Sequence, residues 1–168
     1  IEGSSPIMPF RMGAQDCESS EDAEIHLSKF SCGYAKCLLQ LGLDGQYDFI
    51  DGIVWTSTCE QLRRTFEHWR DEVGLSFNQM ISVPHVSTGE NRRKWFAEEL
   101  RNMVTALSEQ SGGSLNDAAL RKSIKTFNTY RKLMSQLYEL RALDAPKLTG
   151  SEGMLITRAS FSMPKETF

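Results

Sequence analysis

The sequence predicts an α/β fold: a small parallel sheet with helices on both faces and an added C-terminal helical layer. Three observations carry that prediction. Short apolar runs of strand length alternate with amphipathic helical runs as far as Pro84, and strand–helix–strand units in one sheet cross over right-handed and give parallel neighbours. After that point the apolar spacing is helical without interruption. The chain has 168 residues, 40% apolar and 24% charged, enough for one ordinary domain with its own core.

Residues 7–12 read as a short first strand, which Pro6 and Pro9 restrict to an edge or an irregular start and Gly13 ends. The polar stretch 16–22 reads as a loop. Its acidic run Glu18, Glu21, Asp22 and Glu24 is most simply a solvated surface or the first turn of a helix. Residues 34–43 are helical by pattern, with Leu38, Leu39 and Leu41 as the apolar face and Gly42 and Gly45 as the stop. Residues 48–56 make the clearest strand, apolar enough to be covered on both faces.

The second helix runs over 59–73. Leu62, Phe66, Trp69 and Val73 recur at three to four residues and should form its buried stripe. A third strand at 78–83 closes on Pro84-His85. A long helix follows over 90–111, with Trp95, Phe96, Leu100, Met103, Val104 and Leu107 on one side and Gly112-Gly113 as its break. Ser114-Leu115-Asn116-Asp117 resembles a capping box. It opens a helix to about residue 143 that turns Leu120, Ile124, Phe127, Tyr130, Met134 and Leu137 inward. Thr149-Gly150-Ser151-Glu152 is a second such box, opening a shorter helix through about residue 161 that Met163-Pro164 ends. The expected division is therefore an α/β half-domain over 1–89 and a helical region over 90–168 packed on it. Three strands are few for a doubly wound sheet, and the chain stops just after a helix. Both features read as a piece of a larger protein.

A net charge of −3 argues against a nucleic-acid footprint. No apolar run approaches the roughly 20 residues of a membrane helix, and no signal peptide is visible. The expected compartment is the cytoplasm. There, four cysteines (Cys17, Cys32, Cys37, Cys59) point to metal or redox use rather than a disulfide framework. Cys32 and Cys59 share a layout of small hydroxyl residues, a cysteine, then a helix-forming run. A cysteine at a helix start lies where backbone N–H groups and the dipole favour thiolate, the form that binds metal. Two of them at the carboxyl ends of neighbouring strands would face one site. Cys37 lies more than one turn beyond Cys32 and so points elsewhere, into the core. Cys17 is a loop thiol.

At these cysteines the sequence resembles a known family. Ser31-Cys32-Gly33-Tyr34-Ala35, the stretch from Gly45 through Asp51-Gly52-Ile53-Val54, and Thr58-Cys59-Glu60-Gln61-Leu62-Arg63-Arg64 look like subunits of benzoyl-CoA reductase and 2-hydroxyacyl-CoA dehydratase. More particularly, they look like the 2-hydroxyglutaryl-CoA dehydratase D-component. The likeness continues through Val83-Pro84-His85, Trp95-Phe96-Ala97-Glu98-Glu99-Leu100 and Tyr138-Glu139-Leu140-Arg141. It returns at Ser151-Glu152 and Arg158-Ala159-Ser160-Phe161.

The resemblance implies a flavodoxin-like three-layer α/β domain, two of which make a subunit that holds a [4Fe-4S] cluster between them through three cysteines. It implies a homologous second subunit and an ATP-hydrolysing iron–sulfur activator that delivers single electrons at low potential. The substrate is an acyl-CoA, reduced on its ring by the reductases or dehydrated through a ketyl radical by the dehydratases. Carried over by position, the first two cluster cysteines are Cys32 and Cys59. The third family cysteine belongs to a second half that this chain lacks, so this stretch alone is expected to hold no stable cluster. No catalytic residue is assigned.

Other readings fit less well. A structural zinc site wants close-set pairs such as C-x-x-C, which are missing, and His26, His68 and His85 show no ligand spacing. Arg63-Arg64 could steer an anionic CoA or simply be solvated. A flavodoxin-like nucleotide-binding module would need a richer phosphate loop than Gly13-Ala14-Gln15-Asp16. A non-catalytic interaction module would need an exposed apolar stripe on the helix after Ser114.

Overall fold

The computed structural model describes residues 7–113 and 116–167, which form two compact units, Gly13–Ala106 and a second made of 7–12 with 107–167. The first contains α1 (Glu21–His26), α2 (Gly33–Leu43), β1 (Gly52–Thr56), α3 (Glu60–His68), a π-helical turn (Trp69–Val73) and β2 (Phe77–Ile81). α4 (Glu90–Ser111) begins in it, and the division falls within α4. The second unit contains α5 (Asp117–Arg141) and α6 (Gly150–Ser162).

The fold is α/β with a small parallel sheet, as the strand–helix alternation predicts. β1 and β2 pair in parallel, from Gly52 opposite Phe77 to Thr56 opposite Ile81. The sheet has two strands among the described residues, not three. Residues 7–12 form no strand; Arg11 N–H instead donates to the Phe161 carbonyl at 3.1 Å. β1 also starts later than expected, because Asp48 and Ile50 commit their N–H groups to turn bonds with Gly45 and Tyr47. Nor is β1 covered on both faces. Ile53 and Trp55 are buried while Val54 and Thr56 are exposed, the alternation of a strand with one solvated face.

The acidic residues Glu21, Asp22 and Glu24 form the first turn of α1, one of the two readings of that run, although residues 21–22 fall in the stretch expected as a loop. The cap of α1 comes from far along the chain. The buried Gln40 side chain of α2 accepts the Asp22 and Ala23 N–H groups at 3.0 and 3.1 Å through Oε1. Its Nε2 donates to Asp22 Oδ2 and Asp44 Oδ1. One amide thus satisfies orphan helix-start donors and is itself fully bonded.

The core of this unit centres on Trp69, which is fully buried. Its ring lies 5.7 Å from that of Trp55 and 5.8 Å from that of Tyr47. On α2 the approach is so close that a Cβ at Gly42 would sit 2.6 Å from the Trp69 ring. Leu38, Leu39, Ile53 and Ile81 complete the packing. Of the predicted stripe, Trp69 is buried, but Leu62, Phe66 and Val73 are only half-buried, and Thr65 is buried instead. Thr65 and Trp69 stand four residues apart, so they share the face that is buried. Gly74, at φ 71°, closes that turn in the left-handed region, which glycine adopts without steric cost.

α4 spans Glu90–Ser111 as the periodicity predicts, but none of its residues is fully buried, and Trp95 and Leu100 are exposed. α5 begins at Asn116, whose side chain accepts the Ala119 N–H at 2.8 Å. Ser114 and Leu115, which open the expected box, lie outside the described residues. Leu120 and Ile124, expected to face inward, are 39% and 48% exposed. The box at α6 is complete, with Thr149 and Glu152 each bonding the other's backbone N–H. Among the described residues no helix is long and apolar enough to cross a membrane.

Candidate functional site

Cys59 stands three residues beyond β1 as the N-cap of α3, with extended backbone (φ −137°, ψ 128°) and its carbonyl accepting the Arg63 N–H at 3.1 Å. The connection that carries it is tied to the end of β2. Ser57 N–H donates to the Ile81 carbonyl, and Ser57 Oγ accepts the Val83 N–H. Cys59 is thus held at the carboxyl edge of the sheet, where α/β folds gather ligands. Its side chain makes no cap hydrogen bond, and the thiol is free and exposed.

Cys32 has the same local setting on another element. It is the N-cap of α2 (φ −67°, ψ 149°), its carbonyl accepts the Lys36 N–H at 3.2 Å, and its thiol is free, exposed and uncapping. It differs from the expectation in one respect. It follows α1 and an irregular segment over 27–32, not a strand.

Both thiols therefore stand at helix starts whose first-turn N–H groups no side chain of theirs occupies. The first turn of α2 has no acidic residue, whereas α3 begins with Glu60. Arg64 lies 3.4 Å from that carboxylate and Arg63 3.9 Å. Arg64 also reaches Glu67 at 2.9 Å, and this hydrogen bond holds its guanidinium further toward the protonated form. The two arginines are thus engaged within their own helix.

The remaining cysteines meet each other. Cys17 and Cys37 are both half-buried and within hydrogen-bonding reach of one another, and Cys17 Sγ donates to the Ser19 carbonyl at 3.0 Å. Burial first, then the neighbouring Cys37, push the Cys17 thiol up to about 11. A thiol so reluctant to ionise is a poor substitute ligand.

Sequence spacing gave no sign that two histidines would converge. His26 ends α1, His68 ends α3 and Glu72 lies in the π-helical turn, yet one donor atom from each falls within 4.8 Å of the others. Sequence reasoning missed this group because its members are 42 and 4 residues apart and meet only through the packing of α1 beside the π turn.

The fold, with two cap cysteines at helix starts, defines an α/β module of the kind that gathers ligands at a sheet edge. Comparison with known proteins gives the family. The family described as "2-hydroxyglutaryl-CoA dehydratase, D-component" matches residues 5–168, and this chain belongs to it. It is 27% identical over 155 residues to a benzoyl-CoA reductase subunit of Thauera aromatica, covering 92% of this chain and 40% of that one. It is 21% identical over 160 residues to the (R)-phenyllactyl-CoA dehydratase beta subunit of Clostridium sporogenes, covering 95% and 42%. It is 22% identical over 163 residues to the (R)-2-hydroxyglutaryl-CoA dehydratase beta subunit of Acidaminococcus fermentans, covering 94% and 42%. The chain spans about two-fifths of the length of these relatives.

Proposed function

We propose that this chain is part of an iron–sulfur subunit of an ATP-driven benzoyl-CoA reductase-type enzyme, which reduces a CoA thioester with low-potential single electrons. A 2-hydroxyacyl-CoA dehydratase is the second reading, favoured by the dehydratase subunits among the relatives. The observation that carries the proposal is the matched setting of Cys32 and Cys59: two free, exposed thiols at uncapped helix starts. That donor chemistry fits a [4Fe-4S] cluster, which is held by cysteine thiolates. When bound, the cluster would supply one-electron transfer.

The chain's own residues would hold and shield it. The first-turn N–H groups of α2 and α3 would face the negative sulfurs and lower the cost of their charge. Arg63 and Arg64 would draw the Glu60 carboxylate along α3 and reduce its repulsion of the Cys59 sulfur. The Ser57 bonds to β2 would keep the Cys59 backbone from moving as the thiolate binds. The proposal requires the third family cysteine on a second α/β half, a homologous second subunit, an ATP-hydrolysing iron–sulfur activator and an acyl-CoA substrate. It assigns no role to nucleic acid or membrane.

The test is iron per subunit and electron paramagnetic resonance of the complete subunit prepared without oxygen. Cys59→Ser should abolish the cluster, and Cys37→Ser should retain it. The stretch 1–168 by itself should hold no stable cluster, since two thiolates leave it poorly held and open to water and oxygen. A cluster that survives Cys59→Ser and is lost in Cys37→Ser would reassign the ligands.

A further inference from the structure

We propose that His26, His68 and Glu72 form a binding site for a divalent transition metal of the zinc class, separate from the Cys32 and Cys59 thiolates. The geometry points to it. His26 Nδ1 and Glu72 Oε1 lie 3.4 Å apart. Ligands at the roughly 2.1 Å typical of zinc stand about 3.4 Å from one another in a tetrahedron, so this pair is already at ligand spacing. The His68 donor completes a triangle in which no edge exceeds 4.8 Å. A bound ion would draw the longer edges in by side-chain rotation.

The donor set is chemically selective. Two imidazoles and one carboxylate suit zinc and its neighbours, whereas magnesium and calcium prefer oxygen throughout. Three protein ligands leave the fourth position to water, as in open rather than purely structural zinc sites.

The scaffold is rigid where it needs to be. The two histidines are half-buried, with rings 5.5 Å apart. Next to them along the chain stand two anchored residues, Leu27 after His26 and the fully buried Trp69 after His68. The π-helical turn supplies a second, independent feature. Such turns are rare and occur disproportionately at functional sites, and this one places Glu72 against the end of α1. All three donors belong to the unit Gly13–Ala106. A metal there would tie α1 to the turn that follows α3 and would raise the stability of that unit by mass action.

The experiment titrates the full chain, carrying Cys32→Ser and Cys59→Ser, with Zn2+ by calorimetry and with Co2+ by visible absorption. One zinc should bind per chain, the melting temperature should rise with added Zn2+, and the Co2+ complex should show ligand-field bands without a sulfur-to-metal charge-transfer band. Removal of an outer-shell partner typically costs 10–100-fold in affinity, so loss of a direct ligand in His68→Ala should cost at least about 100-fold. Glu72→Gln keeps the size of the side chain and removes its charge beside His26, so it tests the site without loss of fold. His85→Ala, on an exposed residue outside the triangle, should bind as the parent does. The proposal is overturned if Zn2+ does not bind, if His68→Ala and Glu72→Gln bind as tightly as the parent, or if the Co2+ spectrum shows thiolate ligation.

Discussion

The two compact units bury their residues in different ways. In Gly13–Ala106, large side chains interlock: Trp69, Trp55, Tyr47, Leu38 and Leu39 are buried, and Gly42 is cut back to admit the Trp69 ring. Among the described residues of the unit made of 7–12 with 107–167, the buried positions are small, namely Ala119, Gly153 and Ser160. The large apolar side chains Leu120, Ile124, Leu133 and Leu140 remain exposed there. That second unit relies on polar bonds. Ser160 Oγ donates to the Thr157 carbonyl at 2.6 Å, so the Tyr130 hydroxyl, 2.9 Å away, must donate to Ser160. Arg11 lies 4.5 Å over the Phe161 ring and donates to the Phe161 carbonyl through its backbone N–H. One unit is specified by shape and the other by local directional contacts, and substitutions should cost accordingly.

The largest effect is expected at Trp69. Truncation of a fully buried tryptophan removes its transfer free energy and leaves a cavity, so Trp69→Ala should destabilise the chain by about 3–5 kcal/mol. Among the described residues, the indole nitrogens of Trp69 and Trp55 are buried without a hydrogen-bond partner. Each such group costs about 1–3 kcal/mol, so apolar contact alone must hold the ring in place. Urea denaturation followed by far-ultraviolet circular dichroism measures the change. A loss under about 1 kcal/mol would mean that the interlocked rings are not what holds this unit.

The counterpart in the helical unit is the capping box of α6. Thr149→Ala removes the acceptor for the Glu152 N–H, 3.2 Å away, and should cost about 1 kcal/mol. Thr149→Ser keeps the hydroxyl and should recover most of it. The Glu152 carboxyl is held below its ordinary range by its hydrogen bonds to Thr149. Its support is therefore present above the usual carboxylate pKa and is lost as the solution is acidified. If Thr149→Ala cost as much as Trp69→Ala, the contrast between the units would disappear.

Elements with local signals were legible in the sequence, and those with distant causes were not. The bounds of α4 and the Thr149–Glu152 box follow from spacing and from residues three positions apart. A helix start at the acidic run was one of two readings, and the choice between them was not legible because the cap is Gln40, 17 and 18 residues away from the N–H groups it accepts. Residues 7–12 looked like a strand, but their backbone bonds to Phe161 rather than to a neighbouring strand. The cap positions of Cys32 and Cys59 were legible from the small polar residues before each helix. That Cys32 follows α1 and an irregular segment rather than a strand was not. The convergence of His26, His68 and Glu72 had no local signature except the 68–72 spacing, and that spacing alone occurs in many helices.

At neutral pH the smallest effect on stability is expected at Cys17, where a change appears only in alkali. The Cys17 thiol, at 9.0 ordinarily, is pushed up to about 11 by burial and by its neighbour Cys37. The folded chain therefore keeps a proton that the unfolded chain begins to release near pH 9. The stabilisation from this group is fully present below pH 9 and is lost as the pH rises through about 11, because there the unfolded state binds fewer protons than the folded one. Two measurements follow. At pH 8.5 the exposed Cys32 and Cys59 should alkylate with iodoacetamide before Cys17, since thiolate is the reactive form. Stability measured from pH 8 to pH 11 should fall more steeply for the parent than for Cys17→Ser, whose hydroxyl does not titrate in that range. If Cys17 alkylates as fast as Cys59, then neither burial nor Cys37 holds its proton, and Cys17 returns as a candidate spare ligand for the thiolate site.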